Sequence, residues 1–289
     1  MDTRTVPEAT LEDLRREIDD LDLTLLDLLN KRMAVSKRVG HAKANGTPTV
    51  RPGRETVVLR RLLAANHGNL PASALVRIWR EIFSASSAVQ SRLTVCVLGL
   101  DGEDILHRIA RNHFGVMATI VERGSCQRVL TALADQEAEI GLLPVPESDA
   151  IDMWWRHLYR TGPRRLFIVA RIPIHEAAAP NVRGGPEALA VAAGEPEETG
   201  NDRSLLVAES DGELSRAAWR DLLTGVDLSV RETAVVVEPD GVWLHFAEVE
   251  GFIADGDARL EQLVDASAGR IGAVKAIGAY AVALDAQTR

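Results

Sequence analysis

The 289-residue chain is 46% hydrophobic and 26% charged, the composition of a soluble globular protein with room for two or three domains. It holds no run of about 18 apolar residues, and residues 1–10 lack the charged-then-apolar order of a secretory signal, so neither a membrane span nor export is expected, and a cytoplasmic location is. The net charge of −9 hides an asymmetry: residues 1–91 carry 14 Lys and Arg against 11 Asp and Glu, the remainder 19 against 31, a basic surplus too weak and too poor in aromatic platforms for nucleic acid and suited to a small anionic ligand.

Taken in chain order, the first segment is predicted as one long helix over residues 11–44. Apolar residues recur at Leu11, Leu14, Ile18, Leu21, Leu25, Leu28, Val35, Val39 and Ala42 in steps of three and four, with Arg32 as the missing beat. Asn45-Gly46 and Pro48 supply the stop. At about 1.5 Å per residue such a helix is roughly 50 Å long, more than a ninety-residue unit can cover, so a partner subunit is expected. A second helix follows Pro52 with Val58, Leu59, Leu62 and Leu63 inward, ending at His67-Gly68-Asn69. A third starts at Pro71, a residue suited to the first helical turn, and runs to about Gln90 with Leu75, Ile78, Trp79, Ile82 and Phe83 inward.

After Arg92 the texture changes. The apolar run 93–100 ends on a glycine-containing loop, the signature of a buried strand. Helix 105–114, strand 118–122, helix 128–136 and strand 140–145 follow in alternation, which predicts an α/β architecture. A strand at 165–172 leads into residues 175–202, rich in Ala, Gly, Pro and Glu and expected to be a linker. From Ser204 a βαββαβ order is predicted, the ferredoxin-like arrangement. The expected domains are therefore a helical one over 8–91, an α/β one over 92–178, a linker over 179–202 and an α+β one over 203–285. Cys96 and Cys126 lie in no CxxC or Cys/His cluster, so no disulfide framework or zinc site is expected. His107 and His113, six apart on one helix, do not share a face and so do not make a metal pair. Trp154, Trp155 and Trp243 are expected as core or subunit-contact aromatics.

The chemistry concentrates in the helical segment. Arg32 interrupts an apolar stripe, and Lys43 stands eleven residues on, three turns along nearly the same face. Two cations buried together are costly unless something anionic meets them; the plainer alternative is that each snorkels or pairs with a nearby carboxylate. Ser86 and Gln90 continue the inward face of the third helix and place hydrogen-bonding groups where hydrocarbon is expected, and such groups need partners.

Over residues 10–91 this pattern resembles the all-helical class of chorismate mutases. The residues that carry the likeness are Leu14-Arg15-x-x-Ile18-x-x-Leu21-Asp22, Arg32, Val39-Gly40-x-x-Lys43, Arg54-Glu55 and Ser86-x-x-x-Gln90. The resemblance implies three helices interlocked as a homodimer, each site completed by an arginine of the other subunit. Arg15 fits that part, since it lies 17 residues before Arg32 and about 100° away around the helix. The reaction implied is the pericyclic rearrangement of chorismate to prephenate, which needs no nucleophile, metal or cofactor, only a folded dianion held in place and charge stabilised on the ether oxygen. By position Arg15 and Arg32 would clamp the two carboxylates, Lys43 and Gln90 would donate to the ether oxygen, Glu55 would hold the ring hydroxyl, and Arg54 and Ser86 would support. Pro52 stands where some members carry an aspartate. Related helical proteins cleave isochorismate to salicylate and pyruvate with nearly the same residues, and the reading from another class is a non-catalytic partner that binds a pathway intermediate or an upstream shikimate enzyme.

Residues 93–200 resemble a degenerate prephenate dehydratase region. Leu98-Gly99-Leu-Asp-Gly102 and Gly141-Leu-Leu-Pro144-Val-Pro-Glu-Ser148 stand at that family's loop positions, but Pro146-Glu147 replaces its Glu-Asn pair, Glu103 replaces its loop serine, and no Thr-Arg-Phe motif occurs. The absence of dehydratase activity is expected. Residues 203–284 resemble the regulatory ACT domain in Ser204-Leu-Leu-Val, Trp243 to Gly251 and Val274 to Tyr280. Its ligand motifs are eroded at Asp211-Gly212-Glu213-Leu214 and Arg231-Glu232-Thr233, so a structural or dimer-forming role is expected ahead of feedback inhibition.

Overall fold

The computed structural model describes residues 9–42, 50–99, 105–146, 153–160, 164–174 and 186–284. Three helices come first. Helix α1 (Leu11–Ala42) begins in a reciprocal cap: the Asp13 N–H donates to Thr10 Oγ1 at 3.2 Å and the Thr10 N–H to Asp13 Oδ2 at 3.1 Å, which satisfies two of the donors that a helix start leaves open. No residue of α1 is buried. Its apolar stripe stands in the open, with Leu11 65% and Ile18 57% exposed, and it meets α3 through its C-terminal half.

Helix α2 (Pro52–Ala65) starts on proline at its first turn and buries Leu59 completely. Helix α3 (Ala72–Ala88) has Pro71 as its N-cap, one position earlier than a first-turn proline. The two helices share a small core of Leu59, Leu75, Val76 and Phe83 with Ile174 and Leu284 from the rest of the chain. On α3 the expected inward face is only partly right. Ile78 is exposed, whereas Val76, Arg80, Ser84 and Ser87 are buried. The reason is that α3 has a second neighbour, α4, on the side that carries those residues.

Among the described residues nine strands form a single sheet in the order β2-β1-β3-β5-β4-β9-β6-β8-β7. Strands β1 (Thr94–Leu98), β2 (Thr119–Arg123) and β3 (Ile140–Pro144) are parallel, with α4 (Ile105–Phe114) and α5 (Cys126–Ala134) as crossovers. The two helices cover opposite faces, as the alternation along β1 requires: Val95 and Val97 pack with Ala110 and Phe114 of α4, Cys96 with Val129 and Leu133 of α5. Both cysteines are buried, and neither is joined in a disulfide among the described residues. The short α6 (Arg156–Tyr159) follows Trp154 and Trp155, which are buried to 1% and 0% exposure.

The expected linker is corrected in part. Residues 188–192, Ala-Leu-Ala-Val-Ala, form β5 (Ala188–Ala192), buried throughout and paired antiparallel with both β3 and β4 (Phe167–Ile172). Small residues suit a strand covered on both faces, and in sequence the same residues look like low complexity. Within that stretch, residues 175–185 lie outside the described residues.

Strand β6 (Asp202–Ser210), helix α7 (Arg216–Gly225), strands β7 (Val230–Val237) and β8 (Trp243–Glu250), helix α8 (Ala258–Ala266) and strand β9 (Ala273–Ala281) realise the expected βαββαβ order as an antiparallel β9-β6-β8-β7 sheet. It is not a separate layer. Strand β9 meets β4 in parallel at one residue pair, Ile168 with Gly278, so the sheet runs across the boundary expected between the second and third domains. Glycine is needed there because a Cβ on residue 278 would stand 2.4 Å from the Ile168 carbonyl oxygen. A buried polar chain bridges the same seam. Arg171 of β4 donates to the Tyr280 hydroxyl of β9 at 3.0 Å, and that hydroxyl donates to Glu248 of β8 at 2.7 Å. Burial and the Glu248 charge push the Tyr280 hydroxyl up to about 12.

Candidate active site

The candidate residues gather where the C-terminal half of α1 crosses α3 beside the first turn of α2. The helical spacing that places Arg32 out of the apolar stripe aims it at α3, where its Nη1 donates to Ser86 Oγ. The Ser86 hydroxyl in turn donates to the Ile82 carbonyl one turn back, at 2.7 Å. One proton and two lone pairs suffice for both bonds, so Ser86 presents an acceptor to the guanidinium. Gln90, just past the end of α3, donates from Nε2 to the Ser86 carbonyl at 3.0 Å. Its Oε1 is buried and meets no hydrogen-bond partner among the described residues. The crossing is close: a Cβ on Gly40 of α1 would lie 2.8 Å from Gln90 Cγ, which accounts for glycine at that position.

Glu55, in the first turn of α2, faces this group from the other side. Its Oε2 accepts from Arg80 Nη1 of α3 at 2.8 Å, with side-chain exposures of 16% and 6% for the two. Burial pushes the Glu55 carboxyl above the usual carboxylate range, and the Arg80 charge and hydrogen bond, then the Arg32 charge, oppose it. Burial likewise pulls the Arg32 guanidinium down, opposed by Glu55. Phe83 lies between the cations, its ring centroid 5.7 Å from the Arg32 guanidinium carbon and 6.0 Å from that of Arg80, distances at which the ring face attracts a cation.

Arg32, Glu55, Ser86 and Gln90 are thus brought together, and three further candidates are not. Arg15 is exposed on α1, 17 residues and so about 25 Å along the axis from Arg32. Arg54 is exposed beside Glu55. Lys43 lies outside the described residues. Sequence reasoning missed Arg80, although a signal existed: with Val76, Phe83, Ser84 and Ser87 it forms a second row at helical spacing on α3. Of the two histidines on α4, His107 meets Glu122 at 2.9 Å on the exposed side, while His113 is buried.

The arrangement suits recognition of a small anion that also carries a hydroxyl. A guanidinium is held rigid by a serine, an amide has one atom uncommitted, and a buried carboxylate is kept near two arginines. Such groups hold and polarise a ligand; they do not make a nucleophile and base pair. Elsewhere the chain offers a shallow cavity of about 210 Å³ lined by α5 and by residues 157–160 and 164–166, which includes none of these residues. Among the described residues no helix is long and apolar enough to cross a membrane.

Comparison with known proteins bears on the same segment. Residues 14–91 match the chorismate mutase type II family. The intracellular chorismate mutase of Mycolicibacterium smegmatis is 40% identical over 78 residues, 26% of this chain and 73% of that protein. The bifunctional chorismate mutase/prephenate dehydratase of Aquifex aeolicus is 33% identical over 140 residues, 47% of this chain and 38% of that protein. The chain therefore spans under two-fifths of the length of the bifunctional relative. Among solved structures, prephenate dehydratase from Streptococcus mutans aligns over 66% of this chain and 98% of its own, with a TM-score of 0.47 and 16% identity. Through its three N-terminal helices, the chain belongs to the type II chorismate mutase family.

Proposed function

We propose that the chain rearranges chorismate to prephenate, and the observation that carries this reading is the Arg32–Ser86 bond facing the Glu55–Arg80 pair across the α1–α3 crossing. A dianion seated there has one carboxylate on Arg32. Glu55 accepts from the ring hydroxyl, and Gln90 together with Lys43 donates to the ether oxygen, where charge grows as the bond to it breaks. The rearrangement is intramolecular, so the site's work is to hold the folded conformer and meet that charge. Arg54 supplies a further positive charge at the mouth.

The second carboxylate is assigned to Arg15 of a second copy. The distance between Arg15 and Arg32 along one helix supports this, as does the exposed apolar stripe of α1, which a matching α1 would cover. A homodimer acting in the cytoplasm is the expected assembly. The α/β region then acts as a dehydratase-like remnant without dehydratase activity, and the β6 to β9 unit as an ACT-like module with a structural role.

The test is the loss of chorismate absorbance with the purified chain, products resolved by chromatography, beside Lys43→Ala and Arg32→Ala. Prephenate without phenylpyruvate, abolished in both variants, is expected. No turnover would refute the reading and favour a binding protein, and salicylate formed from isochorismate would replace it with a lyase.

A further inference from the structure

Helix α3 does more than line the candidate site. It carries the acceptor that holds Arg32, at Ser86, and the donor that holds Glu55, at Arg80. The two supports are six residues apart, about 9 Å along the axis. Arg32 and Glu55 come from different helices, α1 and α2, so the separation between them is set by α3. A shift of α3 by a fraction of an ångström moves one support relative to the groups it serves.

What fixes α3 on its far side is the α/β body. The end of α4 and the turn after it press on the Arg80–Ser84 side of the helix. The turn is built to be stiff: Arg111 Nη1 donates to the carbonyls of Gly115, Val116 and Ala118 at 3.3, 3.2 and 3.0 Å. Gly115 adopts φ +76°, a conformation open to glycine at little cost. Its approach to α3 is as close as a backbone allows, for a Cβ there would stand 2.6 Å from Ser84 Cβ. The Val116 N–H donates to Glu81 on the same helix at 3.3 Å. His113, one residue inside the end of α4, is 7% exposed. Burial and the nearby Arg80 charge keep its imidazole neutral, well below the ordinary histidine value, so it walls Arg80 in without competing for Glu55.

Three polar atoms on this contact, Arg80 Nη2, Ser84 Oγ and His113 Nε2, are buried with no hydrogen-bond partner among the described residues. Buried groups of this kind are retained where a constraint outweighs their cost. A hydrocarbon at position 80 would pack without that penalty but would leave Glu55 a buried carboxylate with no cation bonded to it.

We propose that Arg80 is a positioning residue for Glu55, and that the turn closing α4 sets where Arg80 stands, so that the α/β body of each subunit shapes that subunit's own mutase pocket. The proposal rests on the mutase reading for its consequence, not for its geometry. Arg80 takes Oε2 of Glu55 and favours the ionised form against the effect of burial, leaving Oε1 to accept from the ligand hydroxyl. The body thereby acquires a role in the rearrangement without contributing any atom that touches the substrate.

The experiment uses the full chain, labelled with carboxyl-¹³C glutamate, and follows the titration of Glu55, identified as the resonance missing in Glu55→Gln. In Arg80→Met the Glu55 midpoint should rise relative to wild type, and Arg80→Lys should bring it part of the way back. Gly115→Ala, which leaves Arg80 and Glu55 unsubstituted but presses the turn against Ser84 of α3, should raise it as well. In parallel, kcat/KM for chorismate should fall about tenfold or more in Arg80→Met, the scale of a lost charge-assisted contact, with partial rescue by lysine. A purely structural Arg80 would lower the melting temperature and leave the Glu55 midpoint in place, and that result overturns the proposal. An unchanged midpoint in Gly115→Ala overturns the part played by the α/β body, and if Arg80→Met does not fold, Arg80→Lys and Gly115→Ala still decide. Absence of chorismate turnover by the wild type removes the proposed function, while the titration, which needs no turnover, separately decides whether Arg80 governs Glu55.

Discussion

Replacing Ser86 with alanine removes one oxygen from the candidate site and tests whether Arg32 needs an acceptor on α3. In the structure that oxygen accepts from Arg32 Nη1 while its proton is committed to the Ile82 carbonyl. The serine is buried, so water does not readily take its place. A hydrogen bond to a charged group is worth about 1.5–3 kcal/mol, and each 1.4 kcal/mol or so is a factor of ten in rate. Ser86→Ala is therefore expected to lower kcat/KM for chorismate by about tenfold to a hundredfold. Most of the loss should fall on KM, because a carboxylate clamp acts in the ground state and the transition state alike. Alanine is the better helix former by a few tenths of a kcal/mol, so the melting temperature should hold or rise while activity falls. Ser86→Thr keeps the hydroxyl and should retain much of the rate. Initial rates over a range of chorismate concentrations, beside thermal melts of the same preparations, make the comparison. A Ser86→Ala variant within twofold of wild-type kcat/KM would refute the role given to the Arg32–Ser86 bond.

Acid should loosen the fold through its buried histidines. His245, bonded to Ser210 at 2.8 Å, is pushed down to about 4 by burial, so below pH 6.5 the unfolded chain takes up a proton that the folded one refuses. Stability is then lost as pH falls from about 6.5 toward 4, at roughly 1.4 kcal/mol per unit and on the order of 3 kcal/mol in all. Urea unfolding at pH 7, 5.5 and 4.5 measures it, and a flat profile in that window would contradict the assignment. At the seam of the sheet, Gly278→Ala drives a Cβ to 2.4 Å from the Ile168 carbonyl oxygen. An overpacking cost of about 1–3 kcal/mol is expected, or several degrees of melting temperature, with the loss of amide protection beginning in β4 and β9.

The three N-terminal helices were legible because each shows one apolar row at helical spacing, and the start of α1 and both ends of α2 and α3 fall within a few residues of the expected ones. The βαββαβ order from Ser204 onward was legible for the same reason, with strands of alternating character between polar turns. Arg80 was hidden because α3 packs on two sides, and its second row of Val76, Arg80, Ser84 and Ser87 is mostly polar, so hydrophobic periodicity passes over it. Strand β5 was hidden because alanine reports neither a strand nor an exposed face. The joining of the two sheet halves could not be foreseen from either half, since it depends on one glycine meeting one carbonyl across 110 positions of sequence. Arg32, Ser86 and Gln90 were found as residue types out of place on apolar faces, which is the signal a polar pocket between helices leaves, whereas Glu55 was found only through the family resemblance.

The exposed stripe on α1 has a consequence for how the protein holds together. The first half of α1, whose side chains are all exposed, draws little free energy from its own subunit beyond intrinsic propensity, which is a weak and local source. With a second copy as its cover, the order of α1 becomes a bimolecular property, and its midpoint moves with protein concentration as mass action requires. The nine-stranded sheet is packed by helices of its own chain and does not need that cover. Dilution, more than heat, is then the variable that separates the two parts of the chain: the first half of α1 would fray at concentrations where the sheet remains fully formed.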